Sequence, residues 1–296
     1  MLYFHSLQMG GTKEFQHPFE FTCCIGTGME NHSKYGEAIY FHHPGELFVN
    51  LFIASELSWD ETGLILRQET GFPGEEATRL LFLNEKPVKL TLQLRIPGWV
   101  DERCRVRVNG RRIRKEIHPG SYLSLTGKWE KGDRVEMEMP FPLHIEAMPD
   151  NPGRVALLDG PLVLAGDLGT APEEPRPFPP EKIPWLVTEE RDPAQWIEPV
   201  KTESHTFICT VAQPGPCTLR PLYALDDQNF TVYWDLAGQA EWQRHLQGLR
   251  ERETARALLD EMTIDRVVPA SDPSGQGHFF RSENPGFYMY LSLIHI

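Results

Sequence analysis

The sequence predicts a mainly β protein whose body is an antiparallel β-sandwich, and three observations carry that reading. From Glu46 onward, short runs of alternating apolar and polar residues recur, the signature of half-buried strands. Turn residues separate the runs, among them Pro97-Gly98, Asn109-Gly110 and Gly160-Pro161. Helical patterning is confined to a stretch starting near Gly28 and to Gln239–Met262. Many short strands between turns are the pattern of a sandwich.

Taken in order, residues 1–20 show no periodicity, with turns expected at Gly10-Gly11 and His17-Pro18. Phe21–Tyr40 reads FTCCIGTGMENHSKYGEAIY. Thr27 followed three residues later by Glu30 is a capping-box pattern, so a helix is expected from near Gly28, with Pro44-Gly45 stopping it. Cys23 and Cys24 then fall just upstream of a helix N-terminus, where the backbone dipole favours an anion and lowers a cysteine pKa. Such a position suits a thiolate nucleophile or a metal ligand; packing as small hydrophobes is the plain alternative.

Leu47, Val49, Leu51 and Ile53 alternate with Phe48, Asn50 and Phe52, which predicts a central strand with both faces largely apolar. Leu64–Gln68 and Arg79–Asn84 are further strands. Val88–Ile96 alternates most cleanly, with Val88, Leu90, Leu92, Leu94 and Ile96 facing in. Cys104, Val106 and Val108 lead into Asn109-Gly110, a strong hairpin signal. Ser121–Leu125, Val135–Met139, Val155–Leu158 and Leu162–Ala165 complete the set. Thr170–Pro184 is proline-rich and reads as a connector. Thr206–Val211 and Asn229–Asp235 are strands. Gln239–Met262 is a helix with an incomplete apolar stripe of Trp242, Leu246, Leu249, Leu258 and Met262.

Composition narrows the function. The net charge of −13 argues against nucleic acid, whose phosphates call for a basic face. The densest basic run, Arg103–Lys115, reads as a strand pair with a solvated face. No apolar run has the length of a membrane span. MLYFHSLQMG lacks the charged n-region and cleavage site of a signal peptide. Five cysteines give no disulfide framework.

FTCCIGTGMENHSKYGEAIYF resembles the signature of the β-L-arabinofuranosidase glycoside hydrolases, families 127 and 146, once described as a domain of unknown function. RIPGW at Arg95–Trp99 and RVALLDGPLVLAG at Arg154–Gly166 resemble segments that follow the family's barrel. The resemblance implies that the sandwich follows the C-terminal tail of an (α/α)6 helical barrel. It divides the chain into residues 1–45, the barrel end with the Cys-Cys motif; 46–168, the β-sandwich; 169–200, the connector; and 201–262, remaining strands and a helix. Residues 263–290 resemble the opening of an extra C-terminal domain, expected to be too short to fold. Leu291–Ile296, LSLIHI, reads as translated sequencing adapter, so the chain is expected to be an internal fragment, from which no compartment can be read.

The activity implied by the resemblance is retaining hydrolysis in which Cys23 is the nucleophile and both Cys23 and Cys24 bind zinc. Glu30 and Asn31 are placed to reach a sugar from the helix start, or to serve as cap and packing groups. The implied partners are plant-type arabinose-containing glycans or glycopeptides, with neither nucleic acid nor membrane. The family's acid/base glutamate and its remaining zinc ligands, a Glu-x-Cys, lie upstream of the cysteine pair. Here only Met1–Thr22 precede it, with Glu14 and Glu20 the only acids and no cysteine. The chain is therefore expected to be inactive alone.

Other readings rest on less. Gly26-Thr27-Gly28 has Asn31 where a dinucleotide fingerprint needs its third glycine. His42-His43 reads as a solvated helix end, and Cys104 as core. Seven tryptophans open a second reading, a non-catalytic carbohydrate-binding module stacking exposed rings on sugars. A structural zinc module is a third; it needs four ligands, and the sequence offers no convincing third or fourth.

Overall fold

The structure is a computed structural model that describes residues 8–15, 17, 19, 23–171, 178–261, 267–270, 279–282 and 288–290. It divides into two compact units, Met1–Gln239 and Ala240–Ile296.

The first unit opens with helix α1, Cys23–Ala38, and then becomes β. Strands β1 (Tyr40–His43), β2 (Glu46–Val49), β3 (Ser55–Trp59), β4 (Leu64–Thr70), β5 (Ala77–Phe82), β6 (Val88–Ile96), β7 (Arg105–Val108), β8 (Arg111–Arg112), β9 (Ser121–Trp129) and β10 (Arg134–Glu138) form two sheets. One runs β1-β2-β6-β9 and the other β3-β4-β5-β10-β7-β8. Leu47, Leu92, Leu94 and Leu125 of the first sheet share one core with Leu64, Leu66, Leu80, Phe82, Val106 and Met137 of the second. This is the sandwich that the alternation predicts, and burial of alternate residues is what fixes it: all five inward residues of β6 are buried. Trp129 closes one end, stacked on Phe82 at 4.5 Å between ring centroids.

Three local expectations are corrected. The helix ends at Ala38, and Pro44-Gly45 is instead the turn between β1 and β2. Thus His42 and His43 stand on a strand, and the His42 ring lies 4.8 Å from that of Trp59. The strand expected to run on through Ile53 stops at Val49. Asn50 leaves the ladder because its side chain and backbone serve the end of α1. The sandwich is also not wholly antiparallel: β2 runs parallel to β6.

A second sheet follows in the same unit. It is built from β11 (Leu143–Met148), β12 (Asn151–Asp159), β13 (Leu162–Thr170), β14 (Trp185–Val187), β15 (Ile197–Pro199), β16 (Phe207–Cys209), β17 (Ala212–Gln213), β18 (Cys217–Pro221), β19 (Gln228–Thr231) and β20 (Tyr233–Ala237). Its path is β15-β16-β18-β13-β12-β20-β14-β17, with β11 beside β12 and β19 beside β13. It therefore spans the expected boundary at 168 and includes strands from within 169–200. Residues 172–177 of the proline-rich connector lie outside the described residues. The N-terminal segment is tied in here: Gly10 N–H donates to Phe230 O at 2.9 Å and Asn229 Nδ2 to Gly10 O at 2.8 Å.

The seam between sandwich and second sheet is aromatic. Phe141 packs edge-on against Trp99 at 5.1 Å and Phe72 at 5.9 Å, and its ring centroid lies 5.5 Å from that of His205. His205 is held at φ +53, and its Nδ1 lies 2.8 Å from Oδ2 of the buried Asp159. Burial raises the Asp159 pKa. The interaction with His205 pulls the other way, Glu76 adds to the rise and His144 opposes it.

The second unit holds nearly all of helix α2, Gln239–Glu261, with Trp242 buried and Leu246 and Leu249 half-buried. Met262 and the side chain of Leu258 lie outside what is described. The segment expected to be too short to fold carries β21 (Val267–Ala270), β22 (Phe279–Ser282) and β23 (Tyr288–Tyr290), paired antiparallel. Leu291–Ile296 lie outside the described residues.

Two outcomes follow for the seam. Gly160 has φ +52, and a Cβ there would stand 2.5 Å from Phe141 Cγ. Gly160→Ala should cost about 2 to 4 kcal/mol in urea unfolding, from overpacking plus left-handed strain. Gly45→Ala, at φ +76 with open space around it, should cost only the strain, about 1 kcal/mol. The second outcome concerns pH. A carboxyl whose folded pKa is raised gives stability that is full below its unfolded pKa and is lost as pH rises through the folded value. Asp159→Asn keeps the shape without the charge, so its melting-temperature advantage over the wild type should be near zero at about pH 4 and grow toward neutral pH. A flat or falling difference would mean that the His205 contact outweighs burial.

Candidate active site

Helix α1 carries all four residues expected to act. Cys23 and Cys24 are its first two residues, so the thiols belong to the first turn and are not upstream of it. The expected capping box at Thr27 and Glu30 therefore lies inside the helix, and the Gly-Thr-Gly run is helical. Each glycine there costs about 1 kcal/mol relative to alanine. Ile25 near one end and Ile39 beyond the other are buried, while Met29 to Glu37 are exposed, so the segment is fixed by its ends.

The C-terminal end is held by a group that the sequence reading placed in a strand. Asn50 Nδ2 donates to Ala38 O at 3.0 Å, and Asn50 N–H to Ile39 O at 2.9 Å. Tyr122 of β9 in turn donates its hydroxyl proton to Asn50 Oδ1 at 2.9 Å. Nearby, Tyr40 Oη lies 3.0 Å from Ser55 Oγ, and Gln68 Nε2 donates to Leu51 O at 3.0 Å. An asparagine interrupting an apolar run is the signal that could have located this clamp.

Cys24 is half-buried, whereas the side chain of Cys23 lies outside what is described. Glu30 and Asn31 are exposed, two turns on; Asn31 Nδ2 donates to Tyr35 Oη at 3.2 Å, and Glu30 O accepts from Ser33 Oγ at 2.7 Å. Position 30 lies seven residues after 23, and 31 seven after 24, so each pair shares a stripe about 10 Å long.

The other thiols lie in buried settings that disfavour the thiolate. Burial pushes Cys104 and Cys209 up to about 11 and Cys217 up to about 12. Cys209 and Cys217 sit opposite each other in the β16–β18 ladder. A zinc ion is suited by thiolates but needs four ligands. Among the described residues no group of three or more His, Cys, Asp and Glu side chains could hold a metal ion, so these residues do not by themselves complete a zinc centre. The reading as a sugar-binding module rested on exposed tryptophans. Trp129, Trp196, Trp234 and Trp242 are buried and Trp59, Trp99 and Trp185 half-buried, which leaves none exposed. Among the described residues no helix is long and apolar enough to cross a membrane.

Fold and helix together define a two-layer β-sandwich preceded by a short helix with paired cysteines and followed by a second, larger sheet. Residues 46–141 match the family described as Beta-L-arabinofuranosidase, GH127 middle domain. The family that the resemblance implies is thus the one whose middle domain residues 46–141 match, and the match does not extend over Phe21–Tyr40. Among solved structures it is similar to Ara127N-Se, a GH127 β-L-arabinofuranosidase from Geobacillus stearothermophilus T6, with 24% identity and a TM-score of 0.55 over 72% of this chain and 37% of that one. A second similar structure, described as a glycoside hydrolase, shares 20% identity with a TM-score of 0.56 over 79% of this chain and 42% of that one. The chain thus spans less than half the length of either, and at these identities the likeness is one of fold. A comparison with curated proteins found no match.

The Asn50 clamp gives a direct test. Asn50→Ala keeps the backbone bond to Ile39 O but removes the Nδ2 bond to Ala38 O and the bond that Oδ1 accepts from Tyr122, each worth about 1 kcal/mol. Amide hydrogens of residues 35–38 should exchange about five- to tenfold faster, while those of β6 keep their protection. Unchanged exchange at residues 35–38 would show that the clamp does not hold the helix.

Proposed function

We propose that this chain is the C-terminal part of a retaining glycoside hydrolase of the β-L-arabinofuranosidase type, with Cys23 as its nucleophile. The observation that carries the reading is the motif FTCCIGTGMENH, whose Cys23–His32 part is helical, standing just ahead of a segment, residues 46–141, that matches the GH127 middle domain. In this reading the Cys23 thiolate attacks the anomeric carbon; a C–S bond forms as the glycosidic C–O bond breaks. The leaving oxygen takes a proton from a carboxylic acid, and water then displaces the sulfur with that carboxylate as base, so the configuration is retained. In this reading no residue of this chain is assigned as the acid/base group. Zinc, when bound, holds a coordinated thiol deprotonated near neutral pH. Cys23 and Cys24 would supply two of its ligands. The half-buried setting of Cys24 and the lifted pKa values of Cys104, Cys209 and Cys217 support assigning the chemistry to the adjacent pair.

The substrates in this reading are plant-type arabinose-containing glycans or glycopeptides. Glu30 and Asn31 contact a sugar unit next to the one cleaved. The purified chain, supplied with zinc, should not turn over a synthetic β-L-arabinofuranoside, whereas a bromoacetamide of β-L-arabinofuranose should alkylate Cys23 selectively, as read by peptide mass. Turnover by the chain alone would refute the inactivity. Alkylation that spares Cys23, or that is unaffected by excess free arabinose, would refute the role of Cys23.

A further inference from the structure

The basic run Arg103–Lys115, read from sequence as a solvated face, borders a cleft of about 450 Å³, within the size range of small-ligand sites. Arg105, Arg112 and Lys115 line it together with Asp101 and Glu102, and Val106, Ile113, Ile117 and Pro119 supply an apolar wall. The charges are not balanced within the cleft. Asp101 is already taken: Arg103 Nη2 reaches its Oδ2 at 2.8 Å, and this pairing holds the Asp101 carboxyl below the usual range. Three cations therefore share the cleft with one carboxylate not so engaged, in a protein whose net charge is −13.

The strand register sharpens the point. Arg112 on the edge strand β8 stands directly opposite Arg107 on β7. Like charges in that position destabilise a sheet. Glu138 pairs with Arg107 and relieves it. Among the described residues nothing does the same for Arg112. Arg105 donates to the carbonyl oxygens of Glu102 and Cys104, and Lys115 Nζ to Ser124 O at 2.7 Å, so these two are held in place with donors to spare. The guanidinium of Arg112 offers a planar fork suited to a carboxylate.

We propose that this cleft binds the carboxylate of an acidic sugar unit, a hexuronate within a glycan. Arg112 is its bidentate partner, Arg105 and Lys115 flank it, Glu102 accepts from ring hydroxyls, and the apolar wall meets the sugar's C–H face. The carboxylate half of this assignment stands on the charges alone. The sugar half rests on the glycan reading above.

The test is calorimetric titration of the whole chain with trigalacturonate, with the neutral galactose trisaccharide and inorganic phosphate as separate arms, for the wild type, Arg112→Gln and Lys115→Gln. Trigalacturonate should bind and the neutral trisaccharide should not, with Arg112→Gln weakening binding about tenfold or more and Lys115→Gln weakening it less. Both positions are exposed, and circular dichroism checks that the variants fold. No heat with trigalacturonate, or an unchanged affinity in Arg112→Gln, would overturn the site; the cations would then serve only to keep an edge strand from pairing with other chains. Equal binding of phosphate with the same dependence on Arg112 would overturn the sugar assignment. No hydrolysis is read in this experiment, so its failure and that of the arabinofuranosidase reading are separable.

Discussion

The burial of one face of β6 is the constraint on which the rest of the first unit depends. Val88, Leu90, Leu92, Leu94 and Ile96 are buried, each worth roughly 1.5 to 3 kcal/mol against exposure. The ladder on one side of β6 runs antiparallel to β9 over nine residue pairs. On the other side it runs parallel to β2. A slip of one residue in either ladder would turn this face to solvent, so β6 sets the register of its neighbours. The six-stranded sheet then closes on the same core, and β10 sits between β5 and β7 to complete it.

What joins this sandwich to the second sheet is of a different kind. Phe141 lies among Phe72, Trp99 and His205, over a glycine that leaves room for its ring, and a buried Asp159–His205 contact lies beside it. A buried polar pair is costly unless its partners are well placed. Here it holds a histidine in a left-handed backbone conformation that few non-glycine residues adopt. The seam is specific because it combines shape, a restricted backbone and one polar contact, and it gives the sandwich a defined neighbour.

Helix α1 is fixed by its ends, with Ile25 buried near one and Ile39 beyond the other. Asn50 and Tyr122 secure its last turn, while the cysteine pair stands at the other end. The cysteine pair thereby falls in the first turn of a helix whose last turn is tied to the sandwich. The cleft beside β7 and β8 lies at the edge of the other sheet.

The sequence by itself determined the parts governed by local period and turn chemistry. Val88–Ile96 was legible to the residue, because a half-buried strand must alternate. Asn109-Gly110 was legible as a hairpin, because both residues adopt the positive φ that such a turn requires. Cys104 was legible as core through its place in an alternating run. Tertiary structure alone decided the rest. The start of α1 four residues before the expected cap, the departure of Asn50 from its strand and the parallel β2–β6 pair all depend on partners distant in sequence. The second sheet does too, drawing strands from both sides of a proline-rich connector. So does the meeting of Asp159 with His205, 46 residues apart. Periodicity reports which face of a segment is buried; it carries no information about what that face is buried against.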